Sequence, residues 1–258
     1  MDEASRAALL VLVGLFTGVL NVLAGGGSLV TVPLLILLGV PATLANATTR
    51  PALIAQNAAA LLSYVRAGLF RDALWRGQVL KLGAVALPLA ILGAHLAARL
   101  HFDPRGDAVF EGLLATALLA VAALTLWREL RGPVAAPRPE VARFGLVLGL
   151  FAVVGFYSGF LQAGVGFVVM ATLLHGTPWS MARISAAKVA IIGSTNLVAT
   201  LVFAGELEIA WGPALALVVG QTAGGVLGSR LSLRIDDRVL RRVFLVLLVA
   251  CALAILFR

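Results

Sequence analysis

Long apolar runs separated by short polar loops dominate the sequence. A helix needs roughly 20 apolar residues to cross a bilayer, and eight runs come close to this length. They lie at about 7–24, 44–65, 79–98, 108–127, 144–164, 180–203, 212–231 and 239–257. Two further runs, 28–38 and 166–175, reach only about half that length. The pattern predicts an all-α polytopic membrane protein with eight long segments and two short ones.

Composition supports this fold class. Of the 258 residues, 61% are hydrophobic and 12% are charged, whereas about a quarter of the residues of an average soluble domain are charged. The formal net charge of +8 would suggest nucleic acid as the partner of a soluble protein. Here the charges lie mostly between the apolar runs, so we attribute them to orientation in a lipid bilayer and expect no nucleic acid partner.

Glycine clusters interrupt the chain before each short run. The first stretch, LAGGGSLVTVP, contains Gly25, Gly26 and Gly27 followed by Ser28; the second contains Gly164 and Gly166. Non-helical backbone at membrane depth is tolerated only when it is buried in protein or lines a wet cavity. The N-terminal amides of a half-helix that starts at such a break bind anions well, and Ser28 would lie near the N-cap. The alternative is that the glycines only allow close helix packing.

A weak internal repeat relates the two halves. Adding 137 to a residue number maps Gly39-Val40-Pro41 onto Gly176-Thr177-Pro178 and Ala67-Gly68 onto Ala204-Gly205. Upstream, Gly14 and Gly18 match Gly155 and Gly159. The repeat predicts two transmembrane halves, 1–130 and 143–258, joined by a proline-rich cytoplasmic linker at 131–142.

Loop charges predict that the two halves have opposite orientations. The loop at 66–81 is basic, whereas its repeat counterpart at 204–211 contains two glutamates and no basic residue. Because basic loops stay in the cytoplasm, equivalent loops should lie on opposite sides of the membrane, with both termini outside. Inverted repeats of this kind are typical of secondary transporters. The N-terminus lacks the basic start of a cleavable signal, so we expect the first span to be retained.

The acidic residues limit the chemistry. All twelve lie in loops or at the ends of the apolar runs, which argues against a cation path, a metal site or a carboxylate proton relay inside the membrane. Cys251 is the only cysteine, and neither HExxH, GxSxG, CxxC nor a P-loop occurs. We therefore expect no cofactor, no metal and no enzymatic activity, and a solute that is neutral or anionic. His175 is a weak candidate for a proton carrier.

Three basic residues, at one matching place in each half, break the apolar pattern. Arg50 occurs near the start of one run, and Arg183 and Lys188 occur at the matching place in the second half. A buried cation without a nearby acid needs an anion or a wet vestibule. The alternative for the two arginines is that they snorkel to lipid headgroups from the span ends. Lys188 lies deepest and is the strongest candidate for binding the solute.

Small hydrogen-bonding side chains cluster around these cations and glycines. The candidates for substrate binding are Asn21, Asn46, Thr48, Thr49, Gln56, Asn57, Gln162, Ser185 and Asn196. Hydroxyls, amides and backbone N–H groups together with one or two cations suit an oxyanion such as sulfite or a sulfonate. Any one of these side chains taken alone could simply bond to a neighbouring helix.

The sequence resembles the TauE/SafE family of sulfite exporters. The resemblance lies in GVLNVLAGGGSLVTVPLLILLGVPATLANATTRPA and, in the second half, GFYSGFLQAGVGF. It implies a small transporter of sulfur-containing anions such as sulfite, sulfoacetate or thiosulfate, in which the glycine breaks, Asn46–Arg50 and Arg183–Lys188 face the substrate path. The second half has QAGVG where the first has three glycines, so the halves could contribute unequally.

Four candidate functions compete. The preferred hypothesis is a secondary transporter of sulfur oxyanions that works by alternating access, with the site between the two halves. An anion channel or facilitator is the nearest alternative. An intramembrane lipid-modifying enzyme would need acid–base or metal groups inside the spans, and a purely structural subunit leaves the buried cations unexplained. Exact substrate, direction of transport, coupling ion and oligomeric state stay open.

Overall fold

The computed structural model describes residues 2–232 except Ala24, Pro104, 131–143 and Glu208. This part of the chain folds into α-helices and one 3₁₀ turn, Leu69–Arg71, and contains no strand. The helices are α1 Glu3–Leu23, α2 Ser28–Leu37, α3 Ala42–Arg66, α4 Ala73–His101, α5 Gly106–Leu130, α6 Phe144–Phe160, α7 Val165–Gly176, α8 Met181–Glu206 and α9 Trp211–Leu231.

The helix bounds follow the apolar runs of the sequence. The two short runs form α2 and α7, so the glycine clusters do separate a long helix from a short one in both halves. Helix α6 ends at Phe160, four residues before the end of the apolar run 144–164, because the second break begins there. The predicted linker at 131–142, the eighth long run at 239–257 and Cys251 lie outside the described residues.

Four described helices are long and apolar enough to cross a membrane: α1, α4, α8 and α9. Helix α3 has 25 residues, but buried polar side chains, among them Asn46, Arg50 and Gln56, interrupt its apolar character. Such a set of helices is that of a multi-pass membrane protein. The polar content of α3 indicates that it faces other helices rather than lipid.

The helices of the two halves interlock. Helix α1 packs along α9 and α6 packs along α4; α3 packs on α9, and α8 packs on α4. Glycine makes the closest of these contacts possible: a Cβ added to Gly18 would lie 2.7 Å from the carbonyl oxygen of Gln221, and one added to Gly155 would lie 2.2 Å from that of Ala86. The repeated glycines of α1 and α6 therefore serve helix packing, as small residues do in membranes.

Two side-chain contacts link α4 to α8, one near each end. Arg183, at the start of α8, donates to Asp72, the N-cap of α4, at 2.9 Å. His95, in the last third of α4, contacts Glu206 at the end of α8. Since the two starts meet and the two later segments meet, the two helices run in the same direction, side by side.

Candidate functional site

The two glycine breaks contact each other. A Cβ on Gly25 would lie 2.5 Å from the carbonyl carbon of Gly166, and a Cβ on Gly166 would lie 2.3 Å from the carbonyl oxygen of Gly25. The Ser28 hydroxyl oxygen, at the start of α2, accepts a hydrogen bond of 3.2 Å from the backbone N–H of Gly164. Only glycine fits at either contact position, so the close approach explains a glycine in each break.

Backbone conformation explains where the helices stop. Gly25, after the end of α1, has φ +85°, a left-handed value that glycine adopts without steric cost and that commonly terminates helices. Gly164 also has a left-handed φ, +74°, but it is the N-cap of α7 and lies at a helix start. The N–H of Gly25 still bonds to the carbonyl of Leu20 at 3.2 Å, which closes the last turn of α1. Gly27 is fixed by packing, since a Cβ there would lie 2.2 Å from the carbonyl oxygen of Thr17. Gly26 accepts the first bond from α2, from the N–H of Leu29.

Arg50 closes the C-terminal end of α6. Its guanidinium is fully buried and donates to the carbonyl oxygens of Ser158 at 3.0 Å and Gly159 at 2.6 Å. It also donates to the amide oxygens of Asn196 at 3.3 Å and Asn46 at 3.4 Å. The last carbonyls of a helix lack intrahelical donors, and Arg50 supplies them across the two halves.

Two neighbours complete this arrangement. The Asn46 side-chain N–H₂ donates to the carbonyl of Phe160 at 3.0 Å, so three successive carbonyls at the end of α6 have side-chain donors from α3. The Arg50 guanidinium carbon also lies 4.8 Å from the ring centroid of Phe203, a favourable cation–π geometry.

Lys188 closes the C-terminal end of α1 in the same way. Its ammonium, 1% exposed, donates to the carbonyl oxygens of Asn21 at 3.0 Å and Val22 at 2.7 Å. The Met170 sulfur, on α7, lies 3.6 Å from the same nitrogen. A cation from the first half thus caps a helix of the second, and a cation from the second half caps a helix of the first.

The Arg50 cap leaves the second break positively charged. In the described part of the chain, Arg183 pairs with Asp72 and His95 contacts Glu206, and Arg50 takes part in neither contact. A helix C-terminus supplies about half a negative charge. The Arg50 cation against the end of α6 therefore leaves roughly half a positive charge in excess inside the bundle, which favours an anion at this break.

A chain of neutral polar groups connects the second break to α3 and α8. Gln162 donates to the hydroxyl of Thr49 at 3.0 Å, and Thr49 donates to the carbonyl of Asn46 at 3.1 Å. The Ser158 and Thr195 hydroxyls lie 2.7 Å apart. All of these side chains are buried, so the breaks are closed to solvent in this conformation.

Arg183 does not reach the breaks. It forms the exposed ion pair with Asp72, and its guanidinium lies 5.6 Å from the ring centroid of Trp75. This position matches the alternative in which the arginine lies at a span end. Hydrogen bonds from the backbone N–H of Trp75, the Arg183 guanidinium and the N–H of Leu74 hold the pKa of the Asp72 carboxyl below its usual value.

The other polar candidates are buried, each in its own environment. Thr48 accepts from the N–H of Ala210 at 3.3 Å, at the start of α9, and Asn57 donates to the carbonyl of Leu53 at 2.8 Å in its own helix. Ser185 is 6% exposed, within α8. Gln56, fully buried, has no hydrogen-bond partner for either amide atom within the described residues.

Sequence reasoning misses three residues at the breaks. Ser158 supplies a carbonyl to Arg50 and a hydroxyl to Thr195, Phe203 contributes the ring beside Arg50, and Met170 contacts Lys188. Ser158 carried a signal, since it is a hydroxyl in an apolar helix just before a glycine break. Phe203 and Met170 have no such signal, because apolar residues fill most of α7 and α8.

Acids and metal ligands are scarce where the structure is described. None of the acidic side chains there is buried, and no group of three or more His, Cys, Asp or Glu residues comes together within the described ranges. His175 is exposed and contacts the carbonyl of Ala171 at 2.9 Å, one turn back in α7.

Comparison with known proteins gives a consistent picture. The family model described as sulfite exporter TauE/SafE matches residues 10–255. A "probable membrane transporter protein" of Xylella fastidiosa (strain Temecula1) is 30% identical over 253 residues, covering 95% of this chain and 92% of the relative. The "probable membrane transporter protein YfcA" of Escherichia coli (strain K12) is 24% identical over 233 residues, covering 89% and 81%. No solved structure matches the chain.

Proposed function

The chain belongs to the sulfite exporter TauE/SafE family and is a membrane transporter, and we propose that it carries small sulfur-containing oxyanions such as sulfite or sulfoacetate. The anion binds between the two halves, where the glycine breaks meet. One observation carries this proposal: two touching breaks, each with a buried cation from the other half at its helix end, of which Arg50 has no carboxylate partner among the described residues.

The chemistry of the breaks favours an oxyanion over other solutes. Arg50 and Lys188 supply positive charge, and α2 and α7 both begin beside the contact between the breaks, so the amides of their first turns are available to an anion there. Neutral donors and acceptors surround them, including Ser28, Thr49 and Asn196. An oxyanion presents several acceptor oxygens, which suits this set of donors. A metal cation would be repelled by Arg50 and Lys188 and would find no buried carboxylate among the described residues.

We further propose that the two halves are inverted repeats that move by alternating access. The exchange of packing partners supports this: α1 packs on α9 as α6 packs on α4, and the two breaks lie at equivalent places. The basic loop around the turn Leu69–Arg71 would face the cytoplasm, and the end of α8, which carries Glu206, would face outside. The described breaks are buried, so transport requires the halves to open on one side at a time.

A flux screen tests the proposal. The purified protein is reconstituted into liposomes, and uptake of sulfite, thiosulfate, sulfoacetate, sulfate and taurine is measured against protein-free liposomes. We expect saturable, protein-dependent flux of at least one sulfur oxyanion. Flux that rises linearly with anion concentration would identify a channel instead. Absence of flux for every sulfur compound, from a folded sample, would remove the substrate class.

A further inference from the structure

Gln162 has an unusual backbone conformation in the second break. Its φ of +53° is left-handed, and it is the one non-glycine residue with positive φ in the described part of the chain. A side chain in this region costs roughly 1 kcal/mol or more, and such strain concentrates at functional sites. Gln162 is also 1% exposed. Glycine would reverse the chain here at a lower conformational cost. A strained and buried polar residue in the second break therefore needs another explanation.

The hydrogen bonds fix which way the Gln162 amide points. The Thr49 hydroxyl has a single proton, and it donates that proton to the carbonyl of Asn46. Thr49 must therefore accept from Gln162, so the N–H₂ of Gln162 faces Thr49. The amide oxygen Oε1 is left buried and has no donor within 3.5 Å among the described residues. A buried acceptor without a donor carries a large free-energy cost, so a group absent from the protein itself is expected to donate to it.

An unpaired donor belongs to the same break. Arg50 uses both terminal nitrogens on oxygen atoms at the end of α6 and on two asparagines, but its Nε has no hydrogen-bond partner in the described structure. The second break thus offers one N–H that needs an acceptor and one C=O that needs a donor. A fully ionised oxyanion satisfies only the N–H. An oxyanion that retains one proton satisfies both.

We propose that Gln162 is a specificity-determining residue that selects the monoprotonated form of the substrate. Its Oε1 accepts a hydrogen bond from the O–H of an anion such as hydrogensulfite, while an ionised oxygen of that anion accepts from Nε of Arg50. The proposal rests on the proposed function and deepens it. It also accounts for proton movement without a buried acid among the described residues, because the proton travels on the substrate.

The groups around Gln162 support a proton on the substrate rather than on the protein. Arg50 is the charged side chain that binds at this break, and an arginine stays protonated at every physiological pH. The neighbouring partners on α2, α3, α6 and α8 are the neutral Ser28, Thr49, Ser158 and Asn196. A pH dependence of transport should therefore follow the protonation of the anion.

A matched pair of anions tests this inference. Hydrogensulfite and methanesulfonate both carry one negative charge, but only hydrogensulfite has an O–H. Flux of each is measured in proteoliposomes for the unmodified protein, for Gln162→Met and for the control Gln78→Met, the same substitution at a position on α4 away from the breaks. Gln162→Met should lower the preference for hydrogensulfite over methanesulfonate about tenfold, the value of one hydrogen bond, and Gln78→Met should not change it.

The outcomes separate this inference from the proposed function. If the preference in a folded Gln162→Met protein equals that of the unmodified protein, Oε1 is met by water only, and the inference fails while the transport function stands. If the unmodified protein moves neither anion, the function itself fails. A second measurement needs no variant: sulfite flux should fall as the pH rises and hydrogensulfite loses its proton, with methanesulfonate flux constant. Parallel pH profiles for the two anions would overturn the inference.

Discussion

At each of the two breaks a cation binds the carbonyls at a helix C-terminus, but the cationic side chain differs. At the first break, the Lys188 ammonium binds two carbonyls at the end of α1. At the second, the Arg50 guanidinium binds two carbonyls at the end of α6, two asparagine oxygens and the face of Phe203. An ammonium is a compact charge on a flexible stem, whereas a guanidinium is a planar fork with fixed donor directions. The second cap is therefore the more rigid of the two.

The backbone of the second break is also the more rigid of the two. The first break uses three successive glycines, so its conformation rests on glycine's freedom at Gly25. The second break holds Gln162 in a left-handed conformation through its bond to Thr49. If the substrate binds at the breaks as proposed, we expect the first break to adjust its cation and backbone on binding and the second break to contact the substrate with a fixed geometry.

Arg50→Met should have the largest effect. It leaves buried carbonyls of α6 and the side chains of Asn46 and Asn196 without their donor, and each buried acceptor so abandoned costs about 1–3 kcal/mol. We expect the free energy of unfolding to fall by about 4 kcal/mol or more, measured by thermal or denaturant unfolding in detergent. An Arg50→Met protein as stable as the unmodified one would show that the second break does not depend on its cap.

Gly25→Ala should lower the free energy of unfolding almost as much as Arg50→Met. Two control variants separate the cost of backbone strain from the cost of the steric clash. Gly25 has positive φ and touches Gly166; Gly39 has φ +90° but nothing within 4 Å of an added Cβ. Gly39→Ala thus reports strain alone, at about 1–2 kcal/mol, and Gly166→Ala reports the close approach without positive φ. We expect about 3 kcal/mol for Gly25→Ala.

The three unfolding curves decide whether the breaks touch. If Gly25→Ala costs no more than Gly39→Ala, the approach of Gly25 to Gly166 contributes nothing, and the site at the contact loses its support. A cost for Gly166→Ala close to the difference between the other two variants would confirm the contact.

Exchanging the two cations tests whether an ammonium and a guanidinium differ in how they cap a helix end. Arg50→Lys keeps the charge but cannot bind four oxygens at once, so it should cost about 2 kcal/mol. Lys188→Arg keeps both the charge and enough donors for the carbonyls of Asn21 and Val22, so it should cost about 1 kcal/mol, mainly through its larger volume. Equal losses of stability for the two exchanges would remove the distinction between a rigid and an adjustable cap.

The smallest effect concerns the tie between α4 and α8. Because the folded pKa of Asp72 is lowered, its contribution to stability is present above the unfolded value of about 3.9 and is lost as the pH falls through the folded value. Asp72→Asn retains a good N-cap residue but loses the ion pair with Arg183. The variant should be slightly less stable than the unmodified protein at neutral pH and equally stable in acid. Unfolding measured at a series of pH values checks this. A difference in stability that grows toward acid pH would contradict the assignment.

The sequence predicts the helices well because local signals mark them. Run length and glycine position are enough for α1, α2, α6 and α7, and the buried candidates Arg50 and Lys188 do lie inside the protein. The backbone carbonyls that bind these cations lie more than 100 residues away along the chain, for example that of Ser158 for Arg50 and that of Val22 for Lys188. No local pattern contains that pairing, since it arises only when the two halves pack.

Arg183 shows the same limit for a candidate cation that does not lie inside the bundle. It lies five residues before Lys188 in sequence, but more than a helical turn separates them, and Arg183 finds Asp72 at the bundle surface. Spacing alone does not distinguish a cation at a span end from one inside the bundle, because the position of the side chain depends on its partner on another helix. The orientation of the termini and the division at 131–142 stay predictions.

The most direct test of the account is sulfite flux through Lys188→Met in proteoliposomes, compared with the unmodified protein and Lys188→Arg and normalised to folded, monodisperse protein. Methionine keeps most of the side-chain volume but removes the charge that the first break offers to an anion. We expect the flux to be abolished in Lys188→Met and partly retained in Lys188→Arg. Undiminished sulfite flux through a folded Lys188→Met protein would show that the anion does not use this cation, and the proposed site would be wrong.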